Sequence, residues 1–91
     1  MNYLMGVDDC IQHVFQGEVI GLFFADATEH DDYWERRYYV AWQREGAVHN
    51  FGTHLVCVDS EGKHAAFSGH YLTTKDEALS DLMARAGKVA V

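Results

Sequence analysis

Six histidines and two cysteines stand in a chain of 91 residues, and their spacing raises the question of a metal or a nucleophile. Cys10 and His13 lie one helical turn apart, while His54, His64 and His70 fall on what reads as a final hairpin. A zinc centre needs three or four such side chains meeting at about 2.0–2.3 Å, so the register of that hairpin decides the matter. With Val58 opposite Gly62, the three histidines share a face; with Val58 opposite Lys63, Cys57 and His64 face each other and His54 turns away. No paired ligand motif enforces either arrangement, so no metal is assigned, and histidines that are solvated or held by hydrogen bonds are the expectation. A Cys57–His64 nucleophile would need a lowered thiol pKa and an orienting third group, whereas free cysteine usually serves as a small buried apolar residue. The chain has no glycine-rich phosphate loop, nucleophile elbow or HExxH helix. No catalytic residue and no cofactor is therefore assigned, and the chain reads as non-enzymatic.

The carboxylates carry a clearer pattern. Asp26, Glu29, Asp31, Asp32 and Glu35 place five acids within ten residues, without the ligand order or central glycine of a calcium loop. They read as a solvated acidic loop. Residues 1–35 hold eight acids and no Lys or Arg, while residues 36–91 hold six acids and seven bases, so the excess behind the net charge of −7 sits in the first third. Neutralising phosphates needs a basic stripe that this third cannot supply, which argues against direct nucleic-acid binding. A basic protein surface is the partner that fits. The competing reading is that acidity simply keeps a small protein in solution.

An aromatic strand must hold that loop. Residues 33–44 contain Tyr33, Trp34, Tyr38, Tyr39 and Trp42 beside Arg36, Arg37 and Arg44, a mixture that also suits stacking on single-stranded nucleic acid. Period two argues otherwise. It sets Trp34, Tyr38, Val40 and Trp42 on one face, the core face, and leaves Tyr33, Arg37 and Tyr39 as open-face contact residues. The expected partner-binding set is thus Asp26, Glu29, Asp31, Asp32, Tyr33, Glu35, Arg37 and Tyr39.

The other elements follow from spacing. Val7, Cys10, Ile11, Val14 and Phe15 predict a short amphipathic helix over residues 7–16, with Asp8 and Asp9 in its first turn. Residues 18–26 read as an inner strand or one partly covered by the first helix, residues 48–58 as a strand with a bend near Asn50 and Gly52, and residues 63–72 as its hairpin partner. Thr74 with Glu77 is a capping box for a helix whose stripe is Ala78, Leu79, Leu82, Met83 and Ala86, closed by Gly87. The fold expected is α+β, αββββα: one domain over residues 1–91, a four-stranded antiparallel β-meander flanked by a short N-terminal helix and a C-terminal amphipathic helix, both helices covering one sheet face.

An apolar fraction of 48% and an aromatic fraction of 13% belong to a folded chain. Its longest apolar run, residues 19–25, is far short of a membrane span. Two cysteines make no disulfide framework, and neither a secretory nor a transit signal is visible at the N-terminus, so reduced thiols and a cytoplasmic location are expected. A similar element order occurs in the double-stranded-RNA-binding domain, whose basic RNA contacts have no counterparts here. In size and style the chain is similar to the small acidic proteins with which phages and mobile elements inhibit host defence, anti-CRISPR proteins among them. The acidic segment, residues 26–35, is expected to dock on a basic, nucleic-acid-binding surface of a host protein, and a chain of this size is expected to be a monomer or homodimer. A metal-binding or cysteine/histidine-dependent enzyme or sensor, and a structural domain with no charged partner, are the alternatives.

Overall fold

Apolar residues at helical spacing build α1 (Met5–Phe15) in a computed structural model that describes residues 5–25, 36–61 and 63–87. Val7, Cys10, Ile11 and Phe15 are buried on one stripe, whereas Val14, in the expected apolar set, is 52% exposed. A turn at Gln16, whose φ is 55°, and Gly17 feeds β1 (Glu18–Phe24). A Cβ at Gly17 would lie 2.6 Å from the Gln43 carbonyl oxygen, so the chain passes there without a side chain.

Strands β2 (Arg36–Gln43), β3 (Phe51–Val58) and β4 (His64–Leu72) follow, and α2 (Lys75–Arg85) ends the described fold. The sheet order is β1-β2-β3-β4, every pair antiparallel. This is the expected meander. Strand β3 starts later than its sequence suggests because Asn50 is spent on the connection: its Oδ1 accepts from the Ala47 N–H at 3.0 Å, and its carbonyl accepts from the Arg44 N–H at 2.8 Å. The capping box forms as expected, with Thr74 Oγ1 accepting from the Glu77 N–H at 3.1 Å. Hydroxyls of Thr73 and Thr74 donate to the Glu77 carboxylate and hold it below its ordinary pKa.

The last hairpin takes neither register considered from sequence. Asp59 Oδ1 accepts from the backbone N–H of Glu61 and of Lys63, both at 2.9 Å, and this side-chain turn closes the strands with Val58 opposite His64. Further along β4 an extra residue bulges out around Ser68, at φ 54°. Without it His70 would stand opposite Gly52; with it His70 stands opposite Thr53 and Tyr71 opposite Gly52. One bulged residue thus exchanges the faces of His70 and Tyr71.

The helices lie on opposite faces of the sheet, not on one. Under α1, Tyr38, Val40, Trp42, Val56 and Val58 pack with Val7, Cys10, Ile11 and Phe15. Under α2, Ala41 packs with Ala78 and Leu82, joined by half-buried Ile20, Phe23, Tyr39, Phe51, Leu72 and Leu79. Strand β2 is apolar on both faces, Tyr38, Val40 and Trp42 on one and Tyr39 and Ala41 on the other, so both must be covered. The expected core residues Tyr38, Val40 and Trp42 are fully buried; Trp34 lies outside the described residues.

Trp42 lies flat across the neighbouring strand because its partner there is Gly52. A Cβ at Gly52 would come within 2.4 Å of the indole Cζ2 and 2.8 Å of the His70 carbonyl oxygen, whereas one at Gly46 would meet nothing within 4 Å and carry only the strain of a φ of 78°. Gly52→Ala is therefore expected to cost about 1–3 kcal/mol by overpacking, and Gly46→Ala about 1 kcal/mol. Equilibrium urea unfolding of the two variants checks the order; equal midpoints would show that the indole is not seated on Gly52.

Candidate functional site

Two polar centres form, one on each face of the sheet. On the α1 face the Trp42 indole Nε1–H donates to His54 Nδ1 at 3.0 Å, which requires that nitrogen to be unprotonated and leaves the proton of the neutral ring on Nε2. Phe15 stacks on Trp42 with centroids 4.4 Å apart and planes at 11°, and contacts the His54 ring at 4.5 Å. Tyr71 closes the group edge-on, 5.6 Å from His54. Burial first, then the nearby charges of Arg85 and His70, pushes the His54 pKa from its ordinary 6.5 to about 4. It is a neutral core histidine.

On the α2 face Asp81 is the hub. Its Oδ2 accepts from the Thr53 hydroxyl, lies 2.9 Å from His70 Nδ1 and accepts from Arg85 Nε at 3.2 Å. Burial would raise the Asp81 pKa, but the bonds from Thr53, His70 and Arg85 outweigh it and hold the carboxyl below its ordinary range. The Arg85 guanidinium also donates to the Ser68 carbonyl, clamping the β4 bulge to α2. A carboxylate–imidazole pair of this kind is two thirds of a hydrolytic triad, yet Thr53 gives its proton to Asp81 and the described residues place no hydroxyl or thiol on the other His70 nitrogen. The hub ties strands to helix.

The remaining chemistry named from sequence is dispersed. His54 and His64 lie on the α1 face and His70 on the other, and Cys57, opposite Ala65, points away from His64. Among the described residues no group of three or more His, Cys, Asp or Glu is placed to hold a metal ion. Cys10 and Cys57 are both buried free thiols, and burial, with Cys57 nearby, pushes the Cys10 pKa up to about 11. A thiol raised in this way is a poor nucleophile at neutral pH.

Of the expected partner-binding set, Asp26, Glu29, Asp31, Asp32, Tyr33 and Glu35 lie outside the described residues. Their two anchors are described: β1 ends at Phe24 and β2 begins at Arg36, and just beyond β1 the Ala25 N–H bonds the Arg37 carbonyl at 3.0 Å. The β3–β4 turn, carrying Asp59 and Glu61, is at the same end of the sheet. Arg37 and Tyr39 do not point to solvent. Arg37 is 5% exposed and Tyr39 is half-buried against the α2 cluster; the face read as open is the one α2 covers, and β2 is an inner strand. The Trp42–His54 bond and the Asp81 hub were not anticipated. Asp81 and Arg85, four apart on one helix, were the visible trace of the hub.

Grooves remain on the surface of the described residues. A polar one of about 560 Å³ lies between the end of α1 and the 44–50 connection, lined by Gln12, Gln16, Gln43, Arg44 and Asn50 among others. An apolar one of about 310 Å³ runs between β1 and α2. These features define an α+β protein with a meander sheet between two helices, its polar centres engaged in holding the layers together. No protein-family model, no curated protein and no solved structure matches the chain. Among the described residues no helix is long and apolar enough to cross a membrane.

Two outcomes follow. Because the His54 pKa is lower in the folded than in the unfolded chain, the unfolded chain binds more protons between about pH 6.5 and 4. Stability should be intact above pH 6.5 and fall with acidification through that window, at no more than about 1.4 kcal/mol per pH unit; His54→Gln should flatten the slope, and an unchanged slope would assign the acid sensitivity elsewhere. Cys10 should resist a thiol reagent in the native protein and react on unfolding. Fast native labelling of Cys10 would contradict its burial.

Proposed function

We propose that the protein is a non-enzymatic interaction module that docks its acidic residues 26–35 on a basic, nucleic-acid-binding surface of another protein in the cytoplasm, in the manner of phage and mobile-element inhibitors of host defence. The observation that carries this reading is the charge distribution: eight acids and no Lys or Arg in residues 1–35, against near balance in the rest. Such a segment attracts a basic surface over a Debye length, speeds encounter and competes with phosphate for the same lysines and arginines.

The fold supports the reading by where it anchors the segment. β1 ends and β2 begins at one end of the sheet, the end that also carries the exposed Glu61. The polar centres on both faces have structural partners, and at this end Glu61 pairs with Lys63 at 3.5 Å, so the reading rests on the charge of the 26–35 segment itself.

The test is capture on the immobilised chain from an extract of cells that carry its gene, comparing wild type with Glu29→Gln, Asp31→Asn, Asp32→Asn. Three charges at about 0.5 kcal/mol each correspond to affinity loss on the order of tenfold. Bound partners should also fall away near 1 M salt, where the Debye length is about 3 Å. Equal capture by the neutralised chain, with its unfolding midpoint unchanged, would refute the proposal.

A further inference from the structure

We propose that the polar groove between the end of α1 and the 44–50 connection binds a small zwitterion of the amino-acid class, its carboxylate on Arg44 and its ammonium group toward Glu18 and the C-terminal end of α1. The site is independent of the acidic-segment reading. The groove lies where β1 starts and β2 stops. At the other end of the sheet, roughly 20 Å away along the strands, β1 stops and β2 starts. Its volume of about 560 Å³ falls in the range of small-molecule sites. Gly17 brings its two walls together, because the chain leaving α1 passes the Gln43 carbonyl where a Cβ would stand 2.6 Å from the oxygen.

Arg44 is the cation of the lining, and the fold holds it in place. Its Nε–H donates to the His49 carbonyl at 3.0 Å, its backbone N–H donates to the Asn50 carbonyl at 2.8 Å, and its Cζ stands 5.1 Å from the centroid of the buried Trp42 ring. Among the described residues no carboxylate forms an ion pair with it, although Glu18 and Glu45 line the same groove. A guanidinium fixed through Nε and through its flat face keeps its two Nη atoms for a ligand. That fork takes a carboxylate through two parallel bonds.

The other pole is negative. α1 ends at the groove with Gln12, Gln16 and Gly17, and a helix C-terminus carries the negative end of the dipole and carbonyls that no helical N–H takes. Glu18 adds a carboxylate that accepts from Gln43 Nε2, and Glu45 an exposed one. His13 and His49 flank the groove without lining it, while Lys63, Lys75 and Arg85 belong to the last hairpin and to α2. Two carboxylates against one guanidinium repel phosphate and dicarboxylates, and a simple cation leaves Arg44 without a counter-charge. A molecule with one charge of each sign satisfies both poles. Its side chain meets carboxamides: Gln12 and Gln16 are exposed, and Asn50 keeps its Nδ2 after its Oδ1 accepts from the Ala47 N–H. A carboxamide answers a carboxamide as donor and as acceptor.

The probe is L-glutamine, titrated to about 10 mM into the isotopically labelled chain while the side-chain N–H signals of Gln12, Gln16, Asn50 and Arg44 are followed by two-dimensional NMR. Expected are saturable shifts of these signals. Glutaramic acid, which lacks the ammonium group, and γ-aminobutyramide, which lacks the carboxylate, should each bind weaker by on the order of tenfold or more. Arg44→Gln should abolish the shifts. Because Arg44 also lies against Trp42, a second variant avoids that contact: Gln12→Ala, Gln16→Gly changes two exposed positions, and glycine suits the φ of 55° at residue 16. It should weaken binding on the order of tenfold with an unchanged unfolding midpoint. Three results overturn the site: no saturable shift with L-glutamine, equal binding of either analogue, or wild-type affinity in the Gln12→Ala, Gln16→Gly chain. The variant Glu29→Gln, Asp31→Asn, Asp32→Asn separates the two proposals. It should bind L-glutamine as wild type does even where it loses captured partners, and loss of L-glutamine binding in it would remove the site from this groove.

Discussion

The Trp42 indole is the contact on which three parts of the chain depend together. It lies over Gly52 of β3, is stacked by Phe15 of α1 and donates its N–H to His54. A buried indole removes roughly 150–250 Å² from water, on the order of 4–6 kcal/mol at about 25 cal/mol per Å² as an upper bound. Its N–H must also find an acceptor, and a neutral His54 supplies one. Protonating His54 removes that acceptor, so the hydrophobic and the hydrogen-bonded halves of the arrangement fail together.

The second constraint is that β2 is covered on both faces. A small domain seldom affords this, and here it takes one helix per face, joined to the sheet by different chemistry. The α1 layer is held by aromatic and aliphatic packing. The α2 layer has a thinner apolar contact, supplemented by the Asp81 hub linking Thr53, His70 and Arg85. Carboxylate, imidazole and guanidinium are thus committed to joining layers. At its margins, among the described residues, lie β1 at one side of the sheet and the end where β1 stops and β2 begins.

The elements were largely legible because their signals are local. Helical spacing in α1, the Thr74–Glu77 box of α2 and the alternation of β2 each appear within a few residues, and short connections imply a meander. Strand boundaries were less so, since Asn50 could be read as part of β3 until its carboxamide was seen bonding the Ala47 N–H. Arg37 and Tyr39 show the limit for the site. Alternation correctly separates them from Tyr38 and Val40, but whether the second face meets water depends on which side α2 packs, a choice no local pattern encodes.

The sequence by itself determined the class of fold, the buried face of β2 and the acidity of the first third, because these follow from periodicity and composition, which are additive along the chain. Tertiary structure decided where the histidines go. A side-chain turn at Asp59 sets Val58 against His64, and one bulged residue at Ser68 sends His70 to the α2 face while His54 stays under α1. Strand side chains alternate with period two, so a single residue of register reverses every side chain beyond it. That is why spacing could name the histidines and not say which of them meet.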